Sequence, residues 1–192
     1  MGEVPPPEKM FIIDIQEIKL EDFPAKGWIL DIGGGGEGVI GRLKGDMVVA
    51  IDNRKDELED APEGPLKIVM DATKLQFLDE SFSTVTAFFS MMYMNTETRA
   101  KVFQEVYRVL KPGGLFHLWD VTIPSQSDPD KPLFVVPLRI TLPSEVIQTG
   151  YGVPWKGRQQ NIETYTTLAH QTGFKFEVGI PQHQIFQLDL IK

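Results

Sequence analysis

The sequence predicts an α/β fold built around a mostly parallel β-sheet, and three observations support this. Apolar, strand-like segments alternate with helix-like segments from residue 28 to residue 121. The first of these strands runs into four consecutive glycines at residues 33–36. Strand-like segments also end in acidic residues, namely Asp52 and Asp71. An apolar strand, a glycine turn and a helix start are the parts from which open α/β sheets build a nucleotide pocket.

Composition narrows the class of protein further. The 192 residues are 42% hydrophobic, which suits one domain with a sizeable core over residues 1–192. Cysteine is absent, which excludes disulfides, thiolate metal sites and cysteine nucleophiles. The net charge is −8 without a dense Lys/Arg cluster, which argues against a nucleic acid partner.

The sequence also predicts a cytoplasmic protein. No apolar run approaches the roughly 20 residues that a membrane span requires. The first ten residues lack the basic and apolar regions of a secretory signal. The three histidines have no spacing typical of a metal site, so we expect no metal.

The N-terminal residues 1–27 are predicted to be an extension of the core. Residues 1–9 are polar and proline-rich, which is typical of a loose tail. Residues 11–20 alternate partly, with Phe11, Ile13 and Ile15 on one face, and this favours a strand. The spacing of Ile15 and Ile18 also allows a helical turn.

The core is predicted to contain five strands and three helices before residue 122. The amphipathic helix at residues 96–110 is the clearest, with five apolar side chains on its inner face: Val102, Phe103, Val106, Val109 and Leu110. Residues 111–114, Lys-Pro-Gly-Gly, form its stop and a turn. The predicted strands are residues 29–32, 47–51, 66–70, 85–90 and 115–121, and the two shorter helices are residues 38–43 and 56–61.

The C-terminal part is predicted to complete a seven-stranded sheet whose last strand is antiparallel. A helix at residues 162–171 ends at Gly173, and strands at residues 174–179 and 184–190 follow, joined by a turn at residues 180–181. Residues 122–160 are interpreted as a small β insertion and a candidate substrate lid.

Within this insertion, residues 133–142 have β character. Pro137 interrupts them, which predicts an edge strand or a bent one. Residues 143–157 contain a further strand or turn. We expect residues 134–142 to pair with residues 11–20, which would form a lid or a homodimer surface.

The spacing after the glycines indicates which kind of nucleotide is bound. Asp52 lies nineteen residues beyond Gly33, where a carboxylate can accept hydrogen bonds from ribose hydroxyls. A nicotinamide site would need a longer helix, because Asp52 is only fourteen residues past Gly38. Glu37 would also lie beside a pyrophosphate, which is unfavourable. A ligand without phosphates fits better.

Four motifs in this order resemble the class I S-adenosylmethionine-dependent methyltransferases. They are WILDIGGGGEG, VVAID, IVMDATKLQFLDESFSTV and VYRVLKPGGLFHLWDV, which together cover residues 28–121. The resemblance implies a Rossmann-like methyltransferase fold and S-adenosylmethionine as the cofactor. It also implies an enzyme that transfers a methyl group to an O, N or C nucleophile and releases S-adenosylhomocysteine.

The resemblance also implies which residues hold the cofactor. Asp31 and the glycine loop would hold its methionine part, Asp52 its ribose, and Asp71 with Ala72 its adenine. Ser90 and Met91 would line the floor of the pocket near the sulfonium. The complete expected set is Asp31, Gly33, Gly34, Gly35, Asp52, Asn53, Asp71, Ala72, Ser90 and Met91. The chain departs from the family at Glu37, where many relatives have a third glycine.

The sequence indicates the catalytic residues less clearly than it indicates the cofactor residues. Asp120, at the carboxyl end of the fifth strand, is the candidate base, with a loop-capping aspartate as the alternative. Five residues are candidates for the wall of the acceptor site: Tyr93, Asn95, Arg139, Tyr151 and Trp155. We expect a small-molecule acceptor. The alternative function is a regulatory or assembly module that binds S-adenosylmethionine without transferring its methyl group.

Overall fold

Two β-sheets and four α-helices make up the described part of the chain, residues 6–192, in a computed structural model. The helices are α1 (Val39–Lys44), α2 (Lys55–Asp60), α3 (Thr96–Val109) and α4 (Ile162–Thr172). The strands are β1 (Met10–Ile12), β2 (Gln16–Lys19), β3 (Ile29–Ile32), β4 (Val48–Asp52), β5 (Leu66–Val69), β6 (Phe82–Phe88), β7 (Leu110–Val121), β8 (Leu133–Thr141), β9 (Val146–Pro154), β10 (Lys175–Gln182) and β11 (Ile185–Ile191).

The larger sheet has seven strands in the order β10-β11-β7-β6-β3-β4-β5. Strands β3 to β7 are parallel, and β11 runs antiparallel to β7. From β3 the chain adds β4 and β5 on one side and then β6 and β7 on the other. The strand order therefore reverses beside β3, and a crevice forms there outside the carboxyl ends of the strands. The predicted fold class is confirmed.

Burial explains why the central strands have continuous apolar sequences. All four residues of β3 are buried, and so are the first four of β4. A parallel strand covered on both faces needs apolar side chains at every position. Helix α3 covers one face with four of the five side chains predicted to point inward, while the fifth, Leu110, is the buried first residue of β7. Asn95 caps the first turn of α3 by accepting a hydrogen bond from the Thr98 amide at 2.9 Å.

The smaller sheet pairs the N-terminal extension with the insertion. Strand β8 lies between β9 on one side and both β1 and β2 on the other. The predicted pairing of residues 11–20 with residues 134–142 is present, although residues 11–20 form two short strands instead of one. Phe134 and Trp155 pack in one core with α1 and with Trp119 and Val121 of β7. This packing holds the smaller sheet against the larger one.

The prediction that Pro137 marks an edge strand or a bent one is wrong, because β8 is continuous and central in its sheet. The Ile13 amide donates to the Val135 carbonyl at 3.2 Å, so alternate residues of β8 direct their backbone groups toward β1 and β2. The Pro137 nitrogen therefore faces the break between β1 and β2. Proline is tolerated there because no strand requires an N–H donor at that point.

Two turns also differ from the predictions. Helix α3 does end before residues 111–114, but these residues form a bulge within β7 where the sequence predicts a turn. Phe82 pairs with Leu110 and Thr84 with Leu115, so the residues between are left out of the pairing. The turn between β10 and β11 falls at residues 183–184 instead of 180–181, since Gln182 pairs with Ile185. The backbone torsion φ of His183 is 57°, which the tight connection imposes.

Asp120, the candidate base, is the centre of a buried polar network. Its side chain has no solvent exposure and accepts hydrogen bonds from the Val121 amide and the Gln160 side chain, both at 2.7 Å. The Tyr165 hydroxyl of α4 donates to its other oxygen at 3.3 Å. Burial raises the pKa of Asp120 to about 6, while these donors and the nearby charge of Arg99 act in the opposite direction.

No helix among residues 6–192 is both long enough and apolar enough to cross a membrane.

The network around Asp120 predicts a large loss of stability in the Asp120→Ala variant. Removing the carboxylate leaves the Val121 amide and the buried Arg99 charge without this partner. We expect the free energy of unfolding to fall by about 2–3 kcal/mol, measured by urea denaturation. The matched control is Asp130→Ala in the insertion that follows β7, where the residue is exposed and the expected change is below about 0.5 kcal/mol. Equal stability of the two variants would contradict the structural role.

Candidate functional site

A cavity of about 860 Å³ lies at the carboxyl ends of β3, β4, β5 and β6. Its walls come from the loops that follow these strands, from the first turns of α3 and from strand β9 of the smaller sheet. This position is where open α/β sheets bind ligands, at the point where the strand order reverses. The smaller sheet closes a side of the cavity that the larger sheet alone would leave open.

The glycine loop is held against the neighbouring strands. The amides of Gly33 and Gly34 both donate to the Ile51 carbonyl of β4, at 2.8 and 3.0 Å. Gly33 has a φ of +73°, and a Cβ atom there would lie 2.4 Å from the Cβ of Ser90. A Cβ on Gly34 would lie 2.6 Å from the Asp31 carboxylate. Glycine is therefore required here by the packing of the protein itself, in addition to any ligand.

Asp31 is a buried carboxylate at the edge of the cavity. Only 3% of the residue is exposed, and the Thr86 hydroxyl donates to it at 2.7 Å. Burial raises the pKa of Asp31 to about 7, and the charge of Asp52 adds to this, whereas the hydrogen bond from Thr86 opposes it. The group therefore changes its charge near neutral pH.

Asp52 is the last residue of β4, and Asp71 lies two residues beyond the neighbouring strand β5. One oxygen of Asp52 accepts from the Arg54 amide at 2.9 Å. One oxygen of Asp71 accepts from the amide and the hydroxyl of Thr73, both at 2.8 Å, and these bonds lower the pKa of Asp71. Both residues line the cavity. Within residues 6–192 neither second oxygen has a hydrogen-bond partner, so each can accept from a ligand.

Nine of the ten predicted cofactor residues line the cavity, and Met91 does not. Met91 has no exposed surface and packs in the core beneath the site, so its predicted place on the floor is wrong. Ser90 does line the cavity, but its hydroxyl already donates to the Ile32 carbonyl at 2.6 Å. Asp120 is also absent from the lining.

The candidates for the acceptor wall divide into two groups. Tyr93, Asn95 and Tyr151 line the cavity. Trp155 is buried, and its indole nitrogen donates to the Pro124 carbonyl at 2.8 Å. Arg139 is exposed on β8 and does not line the cavity. The sequence pattern could not separate these groups, because burial and side-chain direction at these positions depend on contacts that are distant in sequence.

Sequence reasoning missed Phe89, Glu57 and Arg158, which also line the cavity. Phe89 adopts a φ of 51°, a conformation that a bulky residue rarely occupies, and its amide donates to the Trp119 carbonyl at 2.8 Å. Its ring lies 5.8 Å from the ring of Tyr151. A local strain of this kind has no signature in a single sequence.

Glu37 joins the glycine loop to the smaller sheet. Its carboxylate accepts a hydrogen bond from the Tyr151 hydroxyl at 3.0 Å and another from the Thr149 hydroxyl. Both donors belong to β9, more than a hundred residues away in sequence. Burial and then the charge of Glu37 raise the pKa values of Tyr93 and Tyr151. Both phenols are therefore neutral at physiological pH.

Comparison with known proteins supports the assignment of the central segment. Residues 30–118 match a family model described as a methyltransferase domain. A curated relative, the ubiquinone/menaquinone biosynthesis C-methyltransferase UbiE of Desulfotalea psychrophila, is 37% identical over 90 residues, which are 47% of this chain. The chain spans only 31% of the length of that relative.

Solved structures agree with the fold over most of the chain. A protein of Pyrococcus horikoshii superposes with a TM-score of 0.64 and 20% identity, covering 86% of this chain and 83% of its own. An S-adenosylmethionine-dependent methyltransferase of Mesorhizobium loti gives a TM-score of 0.62 and 16% identity, covering 88% and 94% of the two chains. The predicted motifs and the fold agree with the family model over residues 30–118, so this segment is similar to a methyltransferase domain.

Proposed function

We propose that this chain transfers a methyl group from S-adenosylmethionine to a nucleophilic atom of a small molecule. The observation that carries the proposal is the pair Asp52 and Asp71, each with one unpartnered oxygen at the cavity within the described residues. They follow adjacent strands and flank a glycine loop. A ribose needs an acceptor for its hydroxyls, and an adenine needs one for its amino group, so this pair of acceptors fits a nucleoside ligand.

The other residues of the cavity fit the remaining parts of such a ligand. Asp31 and the glycine loop at residues 33–35 would hold the methionine part, and Asn53 would lie beside the ribose. Ala72 would border the adenine, and Ser90 would line the floor. In this proposal the acidic walls favour a cofactor that carries positive charge.

The chain's contribution to the reaction would be to position the acceptor. S-adenosylmethionine, when bound, supplies an activated methyl group. The residues that could hold an acceptor in line with that group are Phe89, Tyr93 and Tyr151, which line the side of the cavity near the smaller sheet. Alignment alone contributes much of the acceleration in such a transfer. Since Asp120 lies outside the cavity, we assign it no step.

The finer features of the acceptor and of the assembly remain predictions. We infer a small-molecule acceptor because the cavity is enclosed on the side of β9 and because the net charge of −8 disfavours a polyanion. Association into homodimers through the smaller sheet and a cytoplasmic location are also predictions. The insertion at residues 122–160 would act as the substrate lid, since β9 supplies one wall of the cavity.

Calorimetric titration tests the cofactor, and labelled methyl transfer tests the reaction. We expect heat with S-adenosylmethionine and S-adenosylhomocysteine and none with a nicotinamide dinucleotide. Absence of heat with both sulfur compounds would overturn the proposal. Binding without transfer of a labelled methyl group to any acceptor in a small-molecule panel would favour the alternative, a binding module.

The position of Asp52 predicts that its removal weakens cofactor binding. In the Asp52→Ala variant the ribose hydroxyls would lose a charged acceptor, so we expect the Kd for S-adenosylmethionine to rise roughly 10- to 100-fold. Calorimetry with the purified variant measures this. The control is Asp46→Ala, an exposed aspartate outside the cavity, for which no change is expected. An unchanged Kd in Asp52→Ala would refute the assigned role.

The raised pKa of Asp31 predicts that cofactor binding strengthens with pH. Below a pKa of about 7 the group is protonated and neutral, and above it the carboxylate attracts the positive charge of the cofactor. Affinity for S-adenosylmethionine should therefore increase by up to about tenfold between about pH 6 and pH 8. Asp31→Asn retains an acceptor for the Thr86 hydroxyl and removes the titration. A pH dependence that persists in this variant would assign the effect to another group.

A further inference from the structure

The carboxylate of Glu37 is held in a fixed orientation at the cavity. Each of its two oxygens accepts a hydrogen bond from a different hydroxyl of β9, those of Thr149 and Tyr151. Its backbone carbonyl accepts from the Arg42 side chain at 2.7 Å, which fixes the residue from the other side. Glu37 lines the cavity just after the glycine loop, so its negative charge is presented to a ligand there.

This charge has no cationic partner in the part of the chain that the structure describes. Thr149 and Tyr151 are neutral donors, and Glu37 takes part in no ion pair among residues 6–192. The nearest arginine in sequence, Arg42, directs its terminal nitrogen to Glu145 at 3.1 Å. Of the two arginines that line the cavity, Arg54 is paired with Glu57, and Arg158 contacts neither oxygen of Glu37.

The other carboxylates at the cavity differ in how they are compensated, and Asp52, like Glu37, forms no ion pair within the described residues. Asp31 is only partly ionised at neutral pH. Glu57 forms an ion pair with Arg54, and Asp71 is stabilised by two donors from Thr73. Burial and the charge of Glu37 together raise the pKa values of Tyr93 and Tyr151, which line the cavity. Glu37 is therefore a source of negative potential beside the loop that no ion pair offsets within the described residues.

We propose that Glu37 is a specificity-determining residue that makes the site prefer the sulfonium cofactor over its neutral thioether product. The inference rests on the proposed function, because it takes S-adenosylmethionine as the ligand. Glu37 lies two residues beyond Gly35, so their Cα atoms are at most about 7.6 Å apart. A sulfonium beside the loop is within the range over which a carboxylate acts in a partly enclosed cavity.

The two ligands differ by one methyl group and one positive charge. Both carry the same α-amino group, α-carboxylate, ribose and adenine, so contacts to these parts cancel when their affinities are compared. The ratio of the two Kd values therefore isolates the region around the sulfur. A fixed negative charge near that atom lowers the free energy of the sulfonium complex only, so S-adenosylmethionine displaces the bound product more readily.

The test is the ratio of the Kd values of S-adenosylhomocysteine and S-adenosylmethionine, measured by calorimetry for the full chain. Glu37→Gln removes the charge and keeps an oxygen that can accept from β9. We expect the affinity for S-adenosylmethionine to fall about tenfold and the affinity for S-adenosylhomocysteine to change less than about twofold. The matched control, Thr149→Val, removes one donor to Glu37 at a residue outside the cavity lining and keeps the charge, so the ratio should stay at the wild-type value.

The outcomes separate this inference from the proposed function. Equal losses of affinity for the two ligands in Glu37→Gln would overturn the inference, because Glu37 would then only tie the loop to β9. A ratio lowered as much by Thr149→Val as by Glu37→Gln would overturn it too. Failure of the wild-type chain to bind either ligand would overturn the proposed function as well. Thermal unfolding of each variant verifies that the fold is retained.

Discussion

The close packing of the glycine loop on the ends of β4 and β6 is the constraint on which the site depends. Gly33 has no room for a Cβ atom because Ser90 occupies that space, and Gly34 is limited by Asp31 in the same way. The loop is further held by two amides that donate to the Ile51 carbonyl. This packing holds the loop close to the carboxyl ends of the strands, which leaves room for the cavity on the other side of the loop.

The smaller sheet converts an open crevice into a partly enclosed cavity. Its core is shared with α1 and with the end of β7, so the sheet is fixed to the larger one by buried apolar side chains such as Phe134 and Trp155. The network of Asp120, Gln160 and Tyr165 holds the end of the insertion against α4. The same aspartate that sequence position suggested as a base is thus used to attach the wall of the site.

The sequence was most informative where a local pattern determines the structure. The continuous apolar residues of β3 and β4, and the spacing of apolar residues in α3, predicted these elements and the position of Asp52 and Asp71 at strand ends. It failed where long-range contacts determine the structure. Pro137 is tolerated in a central strand because of the break between β1 and β2. Met91 is buried because α3 packs over it. Neither fact is encoded in neighbouring residues.

Glu37 and the insertion are best understood as one feature. A carboxylate where many related loops have glycine would be poorly solvated in a partly enclosed site and would need donors. Thr149 and Tyr151 supply them, and these hydroxyls in turn would lack an acceptor without Glu37. Loss of either partner leaves the other unsatisfied, at a cost of about 1–3 kcal/mol. The departure from the glycine motif and the presence of β9 therefore depend on each other, and the cofactor loop and acceptor wall are linked through this contact.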